Sequence, residues 1–405
     1  MISFKKRVRY IAGMSFAFLF VCNVFAQQVN QDVLLEQVGN LLIGANDIRL
    51  EAAEDGGYNL YIRQKSGLRS VLLTETTKDP LGNATNYTYR ASEWNPVNGD
   101  EIRLLDGEIL QSQYSLYSIV DSTPQSDSEF GNAFQLYIPQ VLLYGYPWSR
   151  NGEETVGIGT FINIRGFSKP FADYTGSYYD NPFMFDFLPP EKSDTDNEVI
   201  NQLTDFYDPG AARAFGEIAS GRMIYSRGPD TIVDDIMNSF RELSDDKPID
   251  VVFAIDATSS MRDDINRLQE ELIPALADEL GERQDVRLGL LFYRDFGDNF
   301  QYLNLPVQVN AFTNDRSVFF EKLNAMQIKE GMIIGGDVPE AVYEALYASL
   351  RYYDWNVAAQ RKIILIGDAE PHATPRGIYG KSKDDVESLA KVMGVIIDCI
   401  ITPAK

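Results

Sequence analysis

Histidine is nearly absent from this chain: His372 is the single one among 405 residues. A zinc site built on two or more histidines is therefore excluded. Any Ser/His or Cys/His catalytic pair has one candidate base. Cysteine is almost as scarce, and Cys22 and Cys399 cannot make a disulfide scaffold. Positive charge is in short supply too. Lys and Arg number 36 against 59 Asp and Glu, for a formal net charge of −23. A nucleic-acid binder needs a basic surface to displace counterions, so that class is set aside. Apolar residues are not lacking. They make up 44% of the chain, against 23% charged, which is globular composition and not that of a disordered chain. The length predicts two or three domains, each with its own core.

Residues 1–26 read as a secretory signal. Lys5, Lys6, Arg7 and Arg9 form a basic start, and Ile11 to Val21 is a short apolar run. Val24-Phe25-Ala26 fits a cleavage site. The run is shorter than the ~20 residues a membrane span needs, so no transmembrane segment is expected after cleavage. Lipidation at Cys22 ranks below simple cleavage, because Val21 is larger than the residue usually found there. The chain is expected to be exported, to the periplasm or the cell surface. Losing four basic residues takes the net charge from −23 to −27. Cys399 then stands alone in the apolar run Val395 to Ile401, which predicts a buried thiol.

The mature chain changes texture along its length. Residues 27–190 are rich in Tyr, Phe, Gly, Asn and Thr. Short runs such as Tyr58 to Ile62 and Ser70 to Thr74 are broken by Asp55-Gly56 and Asp106-Gly107. That pattern predicts a β-rich domain of antiparallel strands, a sandwich or an open barrel. The aromatic stretch Tyr174 to Phe187 is expected to be mostly core. Asn83-Ala84-Thr85 and Asn86-Tyr87-Thr88 match glycosylation acceptors, which an exported bacterial protein rarely uses. Residues 191–247 read as a helical connector. Val199, Ile200, Leu203, Phe206 and Tyr207 share one helical face, as do Ile232, Ile236, Met237, Phe240 and Leu243. From 248 to 405 apolar strands alternate with helices. This predicts a doubly wound, Rossmann-like α/β domain with a parallel sheet and a site at the strands' carboxyl ends.

The chemistry gathers at those ends. The first strand of the α/β region runs into Asp256-Ala257-Thr258-Ser259-Ser260. Asp256, Thr258 and Ser260 place three oxygens in one tight loop, suited to a hard cation, Mg2+ first, then Mn2+ or Ca2+. Asp368 ends another strand in Ile366-Gly367-Asp368, and Gly335-Gly336-Asp337-Val338-Pro339-Glu340 forms a third loop. Pro339 is expected to open the next helix. Such Asp, Thr and Ser residues also cap helices, and for a single loop capping would suffice as an explanation. Three loops in this order favour metal binding. Asp295 and Asp298 are expected in a solvated rim.

This set resembles the von Willebrand factor A (vWA) domain over residues 248–405. The resemblance identifies Asp256-Ala257-Thr258-Ser259-Ser260 with the family's Asp-x-Ser/Thr-x-Ser loop, which forms a metal-ion-dependent adhesion site, and Asp368 with its later acidic residue. Phe292-Tyr293-Arg294-Asp295 and the Gly335 to Glu340 loop look like one branch of the family. Many members have a Thr in the third loop; here Gly336 stands there and Asp337 follows. The family usually carries another helix after the Val395–Ile401 strand, which here is followed only by residues up to Lys405, and an uncovered edge or face is expected. The β-rich region 27–190 is similar to the region upstream of vWA domains in some spirochaete envelope proteins. The resemblance implies a binding module, not an enzyme. Its cation, held by Asp256, Thr258, Ser260, Asp337 and Asp368, would take an acidic side chain of a protein ligand. Two rivals are a metal-dependent hydrolase with His372 as base, and a structural envelope protein with a vestigial metal site.

Overall fold

The computed structural model describes residues 40–75, 88–98, 101–105, 107–112, 114–146, 151–188, 200–243, 246–281, 283, 285–297, 300–328, 339–376 and 378–404. The signal region 1–26 with Cys22, the acceptors Asn83 and Asn86, Asp298, and the loop residues Gly335, Gly336 and Asp337 lie outside the described residues. The described residues divide into two compact units, the first up to Leu203 and the second from Thr204.

The first unit is built on period-two alternation. In Tyr58–Arg63, Leu60 and Ile62 are buried; in Gly131–Ile138, Phe134, Leu136 and Ile138 are. These strands lie in an antiparallel four-stranded sheet between Ile48–Ala52 and Gln125–Asp127. A five-stranded sheet runs in the order Ile200–Thr204, Tyr178–Leu188, Phe161–Phe167, Ser70–Thr74, Val120–Asp121. It turns Val71, Leu73, Ile162, Ile164, Phe183 and Phe185 onto the same core. The two sheets share one core, as the expected β-rich domain of antiparallel strands requires. The aromatic stretch divides as a strand must: Phe183 and Phe185 face the core, whereas Tyr178 is exposed.

The segment expected as a helix across Val199–Tyr207 holds instead the strand Ile200–Thr204. Asp208-Pro209 closes that segment, and the residue before a proline disfavours helix, so a helix there would have been very short. The neighbouring strand offers a ladder of backbone partners, and tertiary pairing overrides the local period.

Among the described residues the second unit contains six strands, β1 (Met223–Tyr225), β2 (Ile249–Asp256), β3 (Val286–Tyr293), β4 (Val307–Thr313), β5 (Gln360–Gly367) and β6 (Ile396–Ile401). Their order is β1-β6-β5-β2-β3-β4. All neighbours are parallel except β4, which runs antiparallel to β3. The sheet is thus mixed and loosely Rossmann-like, not wholly parallel. The helices are α1 (Pro209–Ile218), α2 (Ile232–Phe240), α3 (Arg262–Leu280), α4 (Arg316–Asn324), α5 (Val342–Arg351) and α6 (Lys383–Met393). Ile236, Met237 and Phe240 of α2 share a core with Ile265, Leu268 and Leu272 of α3, Phe319 and Leu323 of α4, and Phe253 and Ile255 of β2.

Three expectations are corrected here. Residues 209–240, read as connector, are part of the α/β unit: β1 extends its sheet and α2 covers it. Because β1 pairs with β6, the Ile396–Ile401 strand is not a sheet edge. Pro339 does not open α5 either. The helix starts at Val342, while Glu340 is extended and pairs with Pro371.

Candidate metal centre

β2 is buried along its whole length, as a central parallel strand covered on both faces must be. The chain leaves β2 for β3 and β4 on one side, then returns to β5 on the other. The loops after β2 and β5 therefore part company between these two neighbours. In doubly wound sheets that reversal is where a crevice opens. Asp256 is the last residue of β2, level with Tyr293, and Asp368 follows the last residue of β5.

The loop after β2 is shaped by its own side chains. Asp256 Oδ1 accepts the Thr258 backbone N–H at 2.8 Å, an Asx turn that swings the chain toward α3. The Thr258 and Ser260 hydroxyl oxygens then lie 3.2 Å apart. Asp256 itself is fully buried, and its Oδ2 has no hydrogen-bond partner among the described residues. Burial, and then the charge of Asp368, push the Asp256 carboxyl well above the usual carboxylate range; the Thr258 hydrogen bonds and Arg294 oppose this.

Other residues hold this arrangement. Arg294 Nε donates to the Ala257 carbonyl at 2.7 Å, and its guanidinium lies 4.2 Å from the Phe300 ring centroid. The buried Tyr293 hydroxyl donates to the Ile366 carbonyl at 3.2 Å. Burial, and then Asp256 and Asp368, raise its phenol well above its ordinary value. Gly367 leaves room at the point of contact. A Cβ there would meet the Tyr293 hydroxyl and lie 3.3 Å from Asp256 Cβ. The chain after the third loop is pinned next to the Asp368 loop, because the Glu340 N–H donates to the Glu370 carbonyl at 2.9 Å.

The structure thus gathers Asp256, Thr258 and Ser260 in one loop and places Asp368 within electrostatic reach of Asp256. Asp337 lies outside the described residues. Among the described residues no three His, Cys, Asp or Glu side chains are gathered for a metal. The candidate donors are two carboxylates and two hydroxyls, a hard oxygen set.

Asp295 is not in a solvated rim. It is buried, with Oδ1 2.6 Å from His372 Nε2 and Oδ2 accepting Arg376 Nη1 at 3.1 Å. His372 is buried and packs beside the Phe296 ring. Cys399 is a buried thiol, and burial raises its pKa. Within the Phe292 to Asp295 run, Tyr293 and Arg294 carry no oxygen-donor motif that marks them in the sequence. Their position at the end of a strand adjoining β2 was the available signal.

No family model and no curated protein matches the chain. Among solved structures, the conserved hypothetical protein BatB from Bacteroides thetaiotaomicron is 17% identical over 38% of this chain, with a TM-score of 0.27. An aerotolerance-related membrane protein from Bacteroides fragilis NCTC 9343 is 18% identical over 38%, also at 0.27. The pilus adhesin SpaC from Lactobacillus rhamnosus GG is 13% identical over 31%, at 0.24. The matches span 66%, 67% and 15% of those chains, and likeness at this level carries neither fold nor function. Among the described residues no helix is long and apolar enough to cross a membrane.

Proposed function

We propose that this chain is an exported binding module whose second unit carries a vWA-type metal-ion-dependent adhesion site. Asp256, Thr258, Ser260 and Asp368 would hold a divalent cation, Mg2+ first and Mn2+ or Ca2+ as alternatives, with Asp337 completing the set from the third loop. When bound, the cation offers an electrophilic position that an acidic side chain of a protein ligand can occupy. The observation that carries this reading is the buried Asp256 Oδ2. It is a carboxylate oxygen with no hydrogen-bond partner among the described residues, and burial, then Asp368, raise the proton affinity of its carboxyl. A buried carboxylate without compensation is costly, and a cation compensates it directly. The chain's own residues do the rest. The Asx turn fixes Oδ1, Arg294 holds the loop by the Ala257 carbonyl, and Gly367 keeps β5 clear of Asp256.

The acidity of the whole chain, −23, would repel an acidic ligand, and a bound cation reverses the sign locally. The rival hydrolase reading would use His372 as base, its imidazole oriented by Asp295 at 2.6 Å; phosphoester hydrolysis lost in His372→Ala would favour it. Calorimetric titration of the full chain with Mg2+ is expected to give heat that Asp256→Ala abolishes. Absence of heat with the unaltered chain overturns the cation site. A pull-down from envelope extract, with and without chelator, tests the ligand step. A partner retained equally in chelator would remove the cation from the mechanism.

A further inference from the structure

The first unit buries arginines in a chain rich in acids. Arg90 and Arg103 are each 7% exposed. Arg165, also buried, shows the ordinary solution: its Nε and Nη2 bind the two Asp180 oxygens at 2.6 and 3.0 Å. Arg90 and Arg103 have no such carboxylate among the described residues. Arg90 Nη2 donates to the Gly145 carbonyl, and Arg103 Nη2 reaches only the Thr88 hydroxyl, at 3.5 Å. The Nε of both is buried without a hydrogen-bond partner.

Tyrosines surround these groups. The Arg90 guanidinium lies 5.2 Å from the ring centroids of both Tyr114 and Tyr146. Tyr146 acts electrostatically on Arg90 and on Arg103, and Tyr174 acts on Arg103, while its hydroxyl oxygen accepts a hydrogen bond from Arg165 Nη1 at 2.9 Å. The three tyrosines are half-buried, so the cluster is not sealed from solvent. Ring faces attract a guanidinium, but the attraction is smaller than the cost of burying one without a counter-ion. Burial lowers the proton affinity of both arginines, the same imbalance seen from the side of the proton.

We propose that Arg90 and Arg103, walled by Tyr114, Tyr146 and Tyr174, form a binding site for a small oxyanion. The planar guanidinium fork matches two oxygens of a carboxylate or of a tetrahedral phosphate or sulfate. Restricted access at buried arginines limits the ligand to a small one. The site belongs to the first unit and does not depend on the cation reading.

The test is thermal unfolding of the full chain at constant ionic strength, with chloride replaced stepwise by acetate, phosphate or sulfate. At least one oxyanion is expected to raise the Tm saturably. Which arm responds distinguishes a carboxylate from a tetrahedral ligand. Arg103→Met and Arg90→Met are expected to weaken the apparent affinity about tenfold or more. Arg267→Met, which removes a surface arginine paired with Glu271, should leave it unchanged. The proposal is overturned if none of the three anions gives a saturable shift, or if the shift persists undiminished in Arg103→Met. Should Arg103→Met fail to fold, Arg103→Lys decides. It keeps the charge and loses the fork, so weakened binding supports the site and unchanged binding overturns it.

Discussion

At the scale of single residues, Asp256 sets two requirements in conflict. Its Oδ1 is needed to turn the loop, and its Oδ2 has no hydrogen bond among the described residues, while burial and then Asp368 raise the proton affinity of the carboxyl. Asp256→Asn keeps the shape and removes one of two repelling charges. In chelator it is expected to raise unfolding stability by on the order of 1–2 kcal/mol. In Mg2+ it is expected to lose the stabilisation that the cation gives the unaltered chain. Urea titrations with and without Mg2+ measure both; a destabilised variant in chelator would contradict the conflict. The pH dependence follows from the same group. The folded state holds the Asp256 proton more tightly than the unfolded chain does. Without cation, this group's contribution to stability therefore rises as pH falls from the raised folded value, and levels off below the ordinary carboxylate range. With Mg2+ the trend reverses, because cation and proton compete for one carboxylate. Unfolding midpoints across that window, in chelator and in Mg2+, check the two signs. Asp256, Thr258, Ser260 and Asp368 were legible in sequence because oxygen donors directly after apolar strands stand out. Gly367 and Tyr293 were not. Their contribution is clearance and a backbone hydrogen bond between neighbouring strands, and neither exists until the sheet is assembled.

At the scale of elements, the region read as a connector is attached to the sheet by a buried polar junction. Lys362 Nζ on β5 donates to Asp398 Oδ2 on β6 at 2.6 Å and to the Ser239 carbonyl on α2 at 2.8 Å. The Ser239 hydroxyl and the Arg222 N–H also donate to Asp398, at 2.6 and 2.8 Å. Lys362 and Asp398 are almost wholly buried. Removing one partner leaves the other charge stranded, so Lys362→Met is expected to cost about 3–5 kcal/mol. Adding Asp398→Asn should recover much of that loss, because the buried charge is then gone. Urea unfolding of the two single variants and the double variant measures the coupling; simple additivity would mean the pair is not one unit. Sequence patterning placed α2, α3 and the apolar strands well, since a buried face imposes its period. It missed β1 and β4. β1 is three residues long and exists through pairing with β6, and β4 is an edge strand with only its first residue buried. The misread Ile200–Thr204 strand failed for the same reason, because its partner lies elsewhere in the chain.

At the scale of the whole molecule, each unit closes its own core: Leu60, Phe134, Ile164 and Phe185 serve the first, Phe253, Leu268, Met237 and Phe319 the second. A chain of two cores is not bound to unfold in one step. The candidate cation site draws only on the second unit, and the arginine cluster only on the first. Calorimetry of the full chain is therefore expected to resolve two transitions. Mg2+ should raise one of them, by about 2.7 kcal/mol of stability at a hundredfold excess over Kd, and leave the other in place. An oxyanion at constant ionic strength should move the transition that Mg2+ does not. Asp256→Asn should cancel the first response without touching the second, and Arg103→Met should do the opposite. If both ligands move the same transition, one site has been assigned to the wrong unit. The variant that abolishes each shift then shows which one. The net charge of −23 enters this experiment as well. Raising ionic strength screens like-charge repulsion across the surface and lifts both transitions together, whereas a bound ion acts on one. Uniform and selective shifts therefore separate the general acidity of the chain from the two places where it is locally out of balance.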